Sequence, residues 1–456
     1  MSEFTALIER QKANVLANKT KPVSDRIKLL KQLKSVLKKE EEKLITALFR
    51  DLNKSEFDAY TTEIGIVYTE IDFFIKHLRS WSKRKKVKAP LSHTGTRSYI
   101  YKEAYGSVLI ISPWNYPIQL AIAPLIGAIA AGNSVILKPS ELTDATSIAL
   151  AKMFSENFEE EQIFVVQGGP EVSKTLLAED FDYIFFTGSE RVGKLVMEAA
   201  AKNLTPVTLE LGGKSPCIVD DTADLKVAAK RIAWGKYTNA GQTCVAPDYI
   251  YIDKKIKKEF LEELKRTVFE LYGEEPIDND RYTKIVSEKH FDRLINFLSN
   301  GFTVLGGKTN REELVIEPTV LTDISWDDHV MAEEIFGPIL PILEYEQLAE
   351  VIGEVNKRPS PLALYIFSES DEVSKQIISS ISFGGGCIND VIYHLSSPFL
   401  PFGGVGSSGM GSYHGKASFD TFSHSKSIMK QTTKFDIALR YGTTKNSLKK
   451  IKLFLK

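Results

Sequence analysis

Apolar residues recur at helical spacing over the first 85 positions of the chain. They fall three or four residues apart from Ile27 to Leu37, and again from Ile64 to Phe74. This periodicity predicts amphipathic helices. The lysines between the apolar positions are interpreted as a solvated face and not as a nucleic-acid site; they are Lys31, Lys34, Lys38 and Lys39.

From Val108 the pattern changes to short apolar runs separated by helix-length segments. Strand and helix alternating at this pitch predict βαβ units around a parallel sheet, with ligands at the carboxyl ends of the strands. Polar or glycine residues follow several of the runs, as such a site needs. The runs are VLIIS from Val108, SVILK from Ser134, IFVVQ from Ile163, YIFF from Tyr183 and VTLEL from Val207.

Beyond Pro247 the alternation resumes and predicts a second α/β domain. A helix is predicted near Ile256–Leu271, and strands at YIYID, FTVLGG, VIEPTVL, ILPILEY and ALYIF. FGGGCIND and LPFGGVGSSGMGSYHG are predicted to be loops, because they have too little bulk for core strands. The basic segment from Lys83 to Ser98 is predicted to be an exposed connection, followed by a strand in RSYIYKEAYG.

Composition and charge narrow the class of protein. A length of 456 residues suits two or three domains. Lys plus Arg (58) nearly balances Asp plus Glu (59), which argues against a nucleic-acid or acidic partner. The N-terminus has no apolar signal region, and the longest apolar run, from Ile118 to Ala131, contains Pro124 and is short for a membrane span. We expect a cytoplasmic protein.

The three cysteines are few, odd in number and widely spaced. This pattern argues for a reducing compartment and against a disulfide framework. None has a histidine at metal-ligand spacing and no HExxH is present, so we expect no metal site. Cys217 and Cys387 are interpreted as inert structural thiols.

Cys244 and Glu210 are the candidates for chemistry. Cys244 lies among small residues in NAGQTCVAP, and Glu210 ends the strand-like VTLEL with Gly212 and Gly213 behind it. A thiol nucleophile with a carboxylate to serve it is the pattern of covalent catalysis.

The glycines after YIFF form an incomplete dinucleotide motif. Gly188 and Gly193 fit GxGxxG, but Glu190 replaces the middle glycine, so an ordinary strand-to-helix turn is equally compatible. Spacing alone would make Glu210 the ribose ligand. Lys138 and Glu141, which follow an earlier strand, are the better candidates for that role.

Seven motifs occur in a fixed order with wide spacing: PWNYP, LKPSE, FFTGS, LELGGKSP, GQTC, EEIFGP and LPFGGVGSSGMG. Together they resemble the NAD(P)-dependent aldehyde dehydrogenase superfamily, over about residues 20 to 430. The short N-terminal region, SERVGK and GMGSYHGKASFDTFSH resemble its class 3 branch, which includes fatty and medium-chain aldehyde dehydrogenases.

The resemblance implies catalytic roles. Cys244 would attack the aldehyde as a thiolate, while the Asn115 side chain and the Cys244 backbone N–H would donate to the oxyanion. Glu210 would activate the water that hydrolyses the thioester. Tyr116 and Trp234 would line the substrate tunnel, which suits a medium- or long-chain aliphatic or an aromatic aldehyde; the chain length is not readable.

The resemblance also implies a cofactor, NAD or NADP. A carboxylate at Glu141 should repel a 2′-phosphate, so NAD is favoured. The cofactor-binding residues implied are Trp114, Lys138, Glu141, Thr187, Gly188, Ser189, Gly193, Leu211, Glu334 and Phe336.

The expected architecture is an α/β fold with a Rossmann-like parallel-sheet NAD-binding domain, an α/β catalytic domain and a small β bridging (oligomerisation) element. The NAD-binding domain would take residues 1–82 and 99–209, and the catalytic domain 210–395. The bridging element and C-terminal tail would take 83–98 and 396–456. The class 3 branch also suggests a homodimer.

Two other functions, and the role of the C-terminal segment, are not decided by the sequence. A CoA-acylating enzyme would need no water-activating carboxylate, and a non-catalytic binding protein on this scaffold would be free to lose Cys244, Asn115 or Glu210. The tail SLKKIKLFLK places Leu448, Ile451 and Leu455 at helical spacing. It either packs on its own domain or a dimer partner, or makes peripheral contact with an anionic membrane.

Overall fold

The structure is a computed structural model that describes residues 3–279 and 282–455. Its strands are β1 (Lys85–Val87), β2 (Thr96–Ala104), β3 (Ser107–Ile111), β4 (Ser134–Lys138), β5 (Ile163–Val165), β6 (Tyr183–Thr187), β7 (Val207–Glu210), β8 (Pro216–Val219), β9 (Tyr249–Asp253), β10 (Phe302–Leu305), β11 (Thr309–Asn310), β12 (Val315–Ile316), β13 (Thr319–Thr322), β14 (Ile339–Tyr345), β15 (Ala363–Phe367), β16 (Gly385–Ile388), β17 (Gly409–Met410) and β18 (Ser423–Gln431).

The helices are α1 (Thr5–Leu16), α2 (Val23–Leu52), α3 (Glu56–Ala59), α4 (Gly65–Trp81), α5 (Gln119–Ala131), α6 (Asp144–Asn157), α7 (Pro170–Leu177), α8 (Glu190–Ala201), α9 (Leu225–Tyr237), α10 (Lys257–Tyr272), α11 (Glu288–Phe297), α12 (His329–Ala332), α13 (Leu348–Asn356), α14 (Asp371–Ser380), α15 (Gly415–Thr421) and α16 (Ser447–Phe454). A π-helical turn, Tyr60–Ile64, joins α3 to α4. The helices predicted in the first 85 residues are confirmed as α2 and α4.

The first sheet has the strand order β17-β7-β6-β3-β4-β5 and is parallel except for β17. Because successive side chains alternate between faces, Val108 and Ile110 of β3 pack beneath α5, while Leu109 and Ile111 pack with residues of α1 and α8. Coverage on both faces explains the continuous apolar runs in the sequence. The predicted parallel sheet and its five strands are confirmed, and their carboxyl ends bring Lys138, Thr187 and Glu210 to one edge.

The second sheet has the order β10-β13-β14-β9-β8-β15-β16 and is parallel except for β10. The loop prediction for FGGGCIND is wrong at Gly385–Ile388, which pairs with β15 as an edge strand. A Cβ at Gly386 would lie 1.9 Å from the Leu364 carbonyl oxygen, so the missing side chain is what allows this pairing. The second glycine-rich stretch is also not all loop, since its Gly409–Met410 pairs antiparallel with β7.

A third, antiparallel sheet has the order β1-β2-β18. The segment predicted to be an exposed connection therefore contains β1 and the start of β2, and β2 continues past Ser98 to Ala104. Its partner β18 comes from near the C-terminus and is exposed along most of its length. The domain boundaries stay a prediction.

Within the described residues, no helix is both long enough and apolar enough to cross a membrane.

Candidate active site

Two cavities meet at Cys244. The first, of about 810 Å³, lies at the carboxyl edge of the first sheet, and the second, of about 410 Å³, lies beside α5 and α9. Cys244 and Leu120 are the described residues that line both. A ligand in either cavity can therefore reach the same thiol.

A left-handed turn presents Cys244. Asn239, Ala240 and Gly241 follow α9 with φ values of 56°, 51° and 72°. Side-chain amides hold this strained backbone: Asn239 Nδ2 donates to the carbonyl oxygens of Asn115 (3.0 Å) and Gln242 (3.1 Å). The small residues around the cysteine, visible in the sequence, are those that such a turn requires.

Asn115 is fastened to this turn. Its Nδ2 donates to the Gln242 carbonyl oxygen at 3.0 Å, and the residue is buried in the wall of the first cavity. A side-chain amide has two N–H bonds. The second N–H bond remains available to an oxyanion formed next to Cys244.

Glu210 ends β7 beside the cavities and lines neither of them. Gly188 N–H donates to its backbone oxygen at 2.9 Å, and β17 pairs with it on the other side. Both carboxylate oxygens are buried without a hydrogen-bond partner among the described residues. Burial therefore raises the pKa of Glu210 well above its ordinary value.

Glu334 is a second carboxylate near Cys244, and it does line the first cavity. It lies against the backbone of Gly212, where an added Cβ would come within 2.2 Å of Glu334 Oε2. Burial raises the pKa of Glu334 to about 8, against a hydrogen bond from Gly213 that lowers it. The pKa of Cys244 is raised to about 12, first by burial and then by the charges of Glu334 and Glu210.

We expect Glu334→Gln to lower the pKa of Cys244, because a neutral amide removes the charge that opposes the thiolate most strongly. Below its pKa, a thiol ionises about tenfold more for each pH unit. Alkylation of the free enzyme by iodoacetamide should therefore be faster in the variant above about pH 8, where Glu334 is ionised, and similar in the two proteins below it. The matched control is Glu333→Gln, which changes the exposed neighbour that pairs with Arg293. An unchanged alkylation rate in Glu334→Gln would contradict the role of Glu334 as a charge that raises the pKa of Cys244.

Most of the predicted cofactor residues share the 810 Å³ cavity. They are Trp114, Thr187, Gly188, Ser189, Leu211, Glu334 and Phe336.

The cavity suits a dinucleotide. Helix α8 begins there with Ser189 as its N-cap, and a helix N-terminus favours phosphate. Thr187 Oγ1 and Glu334 Oε1 are buried without hydrogen-bond partners among the described residues. Each can therefore hydrogen-bond to a dinucleotide in the cavity. Trp114 and Phe336 pack edge to face at 5.3 Å and form an apolar wall beside them.

Three predicted cofactor residues do not line this cavity. Lys138 Nζ lies 3.3 Å from Glu141 Oε2, so the two side chains pair with each other. Gly193 packs on Leu211, where an added Cβ would come within 2.7 Å of Cδ2. Their contact with a cofactor stays a prediction.

The second cavity contains both predicted substrate residues, Tyr116 and Trp234. The Tyr116 hydroxyl lies 2.6 Å from Thr243 Oγ1, and the Trp234 ring packs against the Tyr393 ring at a tilt of 39°, with ring centres 5.7 Å apart. Much of the remaining wall is apolar and was missed in the sequence, because it carries no short motif. These residues include Phe57, Ile66, Leu120, Val245, Ile392, Leu395 and Phe402.

The other cysteines lie outside both cavity walls. Cys217 is fully buried, and Cys387 Sγ lies 3.6 Å from His394 Nδ1. Among the described residues, no group of three or more His, Cys, Asp or Glu could hold a metal ion.

Residues 2–428 match the profile of the Aldehyde dehydrogenase family. The chain is 49% identical to the 4,4'-diaponeurosporen-aldehyde dehydrogenase of Staphylococcus aureus, over 98% of this chain and 97% of the relative. It is 46% identical to aldehyde dehydrogenase family 3 member B1 of Bos taurus (94% and 92%) and 45% to the dimeric NADP-preferring aldehyde dehydrogenase of Mus musculus (94% and 95%). A solved structure described as the substrate-bound state of Staphylococcus aureus AldH matches with a TM-score of 0.97, 48% identity and full coverage of both chains.

Proposed function

Because this chain belongs to the class 3 branch of the aldehyde dehydrogenase family, and so oxidises aldehydes to carboxylic acids with NAD(P)+, we propose that Cys244 is its nucleophile. The observation that carries this proposal is the position of Cys244 at the junction of an apolar cavity and a larger, more polar one. The aldehyde would occupy the smaller cavity and the dinucleotide the larger.

Acylation begins when the Cys244 thiolate attacks the aldehyde carbon. The C=O π pair moves to oxygen, and the tetrahedral thiohemiacetal carries its negative charge there. The second N–H bond of Asn115 and the backbone N–H of Cys244 donate to this oxygen. Loss of one such donor typically costs about 10²–10³ in rate.

Collapse of the thiohemiacetal re-forms the C=O bond and expels a hydride, which leaves a thioester on Cys244. NAD(P)+, when bound, supplies the hydride acceptor. We propose that Glu210 then takes a proton from the water that attacks the thioester; the C–S bond breaks, the acid departs and Cys244 is released as the thiolate that began the cycle. Because burial raises its pKa, the ionised Glu210 carboxylate is a stronger base than an exposed glutamate.

The substrate we propose is a medium- or long-chain aliphatic or an aromatic aldehyde. The apolar wall of the 410 Å³ cavity supports this class, because an apolar chain loses no hydrogen bonds there while it leaves water. In this wall the hydroxyl groups of Tyr116 and Thr243 hydrogen-bond to each other.

The test follows NADH formation with straight-chain aldehydes of increasing length, with and without CoA. We expect steady turnover without CoA and a kcat/KM that rises with chain length until the cavity is filled. Activity that depends on CoA would favour the acylating alternative, and a preference for short polar aldehydes would contradict the substrate class. The same assay with NADP tests the proposed NAD preference, since Glu141 should repel the 2′-phosphate.

We also propose a homodimer in the cytoplasm. The edge strand β18 supports a dimer, because its outer N–H and C=O groups are free to pair. Three free cysteines support a reducing compartment. A monomer in sedimentation equilibrium would contradict the dimer.

Peripheral membrane contact through the tail is a further proposal. On α16 the side chain of Leu448 is exposed, as is that of Leu455 just beyond it, which counts against packing on their own chain. Lysines alternate with them, as in helices that lie on anionic membranes. Equal binding to anionic vesicles by the full-length protein and a variant ending near Tyr441 would contradict this contact.

A further inference from the structure

A buried ion pair lies beneath the segment that carries Asn115. Lys54, just after α2, and Glu63, in the π-helical turn, are 1% and 0% exposed, and Nζ lies 2.5 Å from Oε1. Burying two charges costs free energy that an apolar pair would not, so such a pair contributes little net stability by itself. Its other contacts indicate a different role.

Both partners hold the segment from Asn115 to Gln119. Lys54 Nζ donates to the Asn115 backbone oxygen at 3.0 Å and lies 4.1 Å from the centre of the Tyr116 ring. Glu63 Oε2 accepts the backbone N–H groups of Ile118 (2.8 Å) and Gln119 (3.2 Å), where α5 begins. The pair therefore fastens both ends of one short turn.

The same stretch of chain forms a wall of the substrate cavity. Phe57 and Asp58 line it just before the π-helical turn that contains Glu63, Thr61 and Thr62 line it from within the turn, and Ile66 lines it just after. A π-helical turn inserts one residue into a helix and is frequent at functional sites. Here the π-helical turn allows residues 57–66 to line the substrate cavity on one side and to hold Asn115, the proposed oxyanion donor, through Glu63 on the other.

We propose that Lys54 and Glu63 are positioning residues that hold Asn115 where its second amide N–H meets the oxyanion. This inference rests on the proposed role of Asn115. Without the ion pair, the Asn115 backbone oxygen keeps the hydrogen bond from Asn239 Nδ2. It loses the hydrogen bond from Lys54, which ties it to the wall of the substrate cavity. A displacement of about 1 Å can cost about 10²-fold in a catalytic step.

Glu63 cannot be replaced by glutamine without loss. All its side-chain contacts come from donors: Lys54 on Oε1, and two backbone N–H groups on Oε2. Glutamine has only one acceptor oxygen, so its NH₂ group must face a donor in either orientation.

The test is a double-mutant cycle on the full-length enzyme with saturating NAD. The rate of the first NADH turnover is measured for wild type, Lys54→Met, Asn115→Ala and the double variant. We expect Lys54→Met to slow this step about tenfold or more, with NAD affinity unchanged. In the Asn115→Ala background, the same change should have less than about a twofold further effect.

Arg26→Met is the matched control. Arg26 is a buried cation that donates to the Ala130 carbonyl oxygen at 2.7 Å, at the other end of α5. Its loss should lower the melting temperature without slowing the first turnover. If Lys54→Met does not fold, the double variant Lys54→Met/Glu63→Gln replaces it. This variant removes both buried charges and leaves the glutamine oxygen to accept the Ile118 N–H. We expect it to fold and to keep the slow first turnover.

Each outcome decides a separate point. A wild-type first-turnover rate in folded Lys54→Met would overturn the positioning role. So would a double variant whose rate loss equals the product of the losses in the two single variants, because the two residues would then act independently. A wild-type rate in Asn115→Ala would instead overturn the proposed oxyanion role on which this inference rests.

Discussion

Cys244→Ala is expected to lower aldehyde oxidation by at least about 10⁴-fold, because no other described thiol lines either cavity. Without the thiolate there is no covalent adduct from which a hydride can leave. The residue lies at the junction of the cavities and not in the predicted adenosine site, so NAD affinity should stay near that of the wild type. NADH formation and quenching of protein fluorescence by NAD measure the two effects.

Cys387→Ala is the control for this change. Cys387 is also half-buried, but its sulfur faces His394 and its removal should leave turnover unchanged. Turnover of Cys244→Ala within tenfold of wild type would remove Cys244 from the mechanism.

Glu210→Gln is expected to stop the reaction after one turnover. Acylation and hydride transfer need no base at Glu210, so a burst of one NADH per active site should remain. Hydrolysis of the thioester should then slow by about 10²–10⁴, the usual contribution of a general base. Rapid-mixing absorbance and mass spectrometry of the trapped acyl-enzyme measure the two phases.

The same variant should be more stable than wild type at neutral pH. Burial raises the pKa of Glu210, so its ionised form is less stable in the folded protein than in the unfolded chain. The contribution of the protonated form to the free energy of unfolding is complete below the unfolded pKa, about 4.3, and is lost as the pH rises toward the folded value. Glutamine does not titrate, so its stabilising effect should appear at pH 7–9 and vanish in acid.

Glu334→Gln separates the two carboxylates. Glu334 lines the first cavity and Glu210 does not. If Glu334→Gln alone gives the single-turnover burst, with Glu210→Gln turning over normally, the base is Glu334 and the proposal for Glu210 is wrong.

The sequence predicted the parallel sheet because strands covered on both faces are apolar at nearly every position, as β3 and β4 are. It did not predict β16, because a glycine strand lacks the side chains by which strands are recognised. Cys244 and Glu210 were predicted as the reactive pair because reactive side chains beside glycine stand out, and the structure places Cys244 where both cavities meet. Their spatial relation could not be found, because the burial of the Glu210 carboxylate away from both cavities depends on the packing of β17.

The pairing of Lys54 with Glu63 could not be predicted from the sequence, for a different reason. Their separation of nine residues matches no helical or strand repeat, since Lys54 lies just after α2 and Glu63 lies within the π-helical turn. Most of the 410 Å³ cavity comes from residues 57–66, where α3, the π-helical turn and α4 follow one another, and from residues 392–414, which lie mostly outside helices and strands. Neither segment carries one unbroken repeat in the sequence.

The near-separation of the two cavities has an evolutionary consequence. Among the described residues, only Leu120 and Cys244 belong to both walls. Substitutions elsewhere in the smaller wall can therefore be selected for a new ligand of that cavity without changing the wall of the larger one, and the reverse also holds. One ancestral chemistry could in this way diversify its substrates one residue at a time, with the redox half of the enzyme held constant.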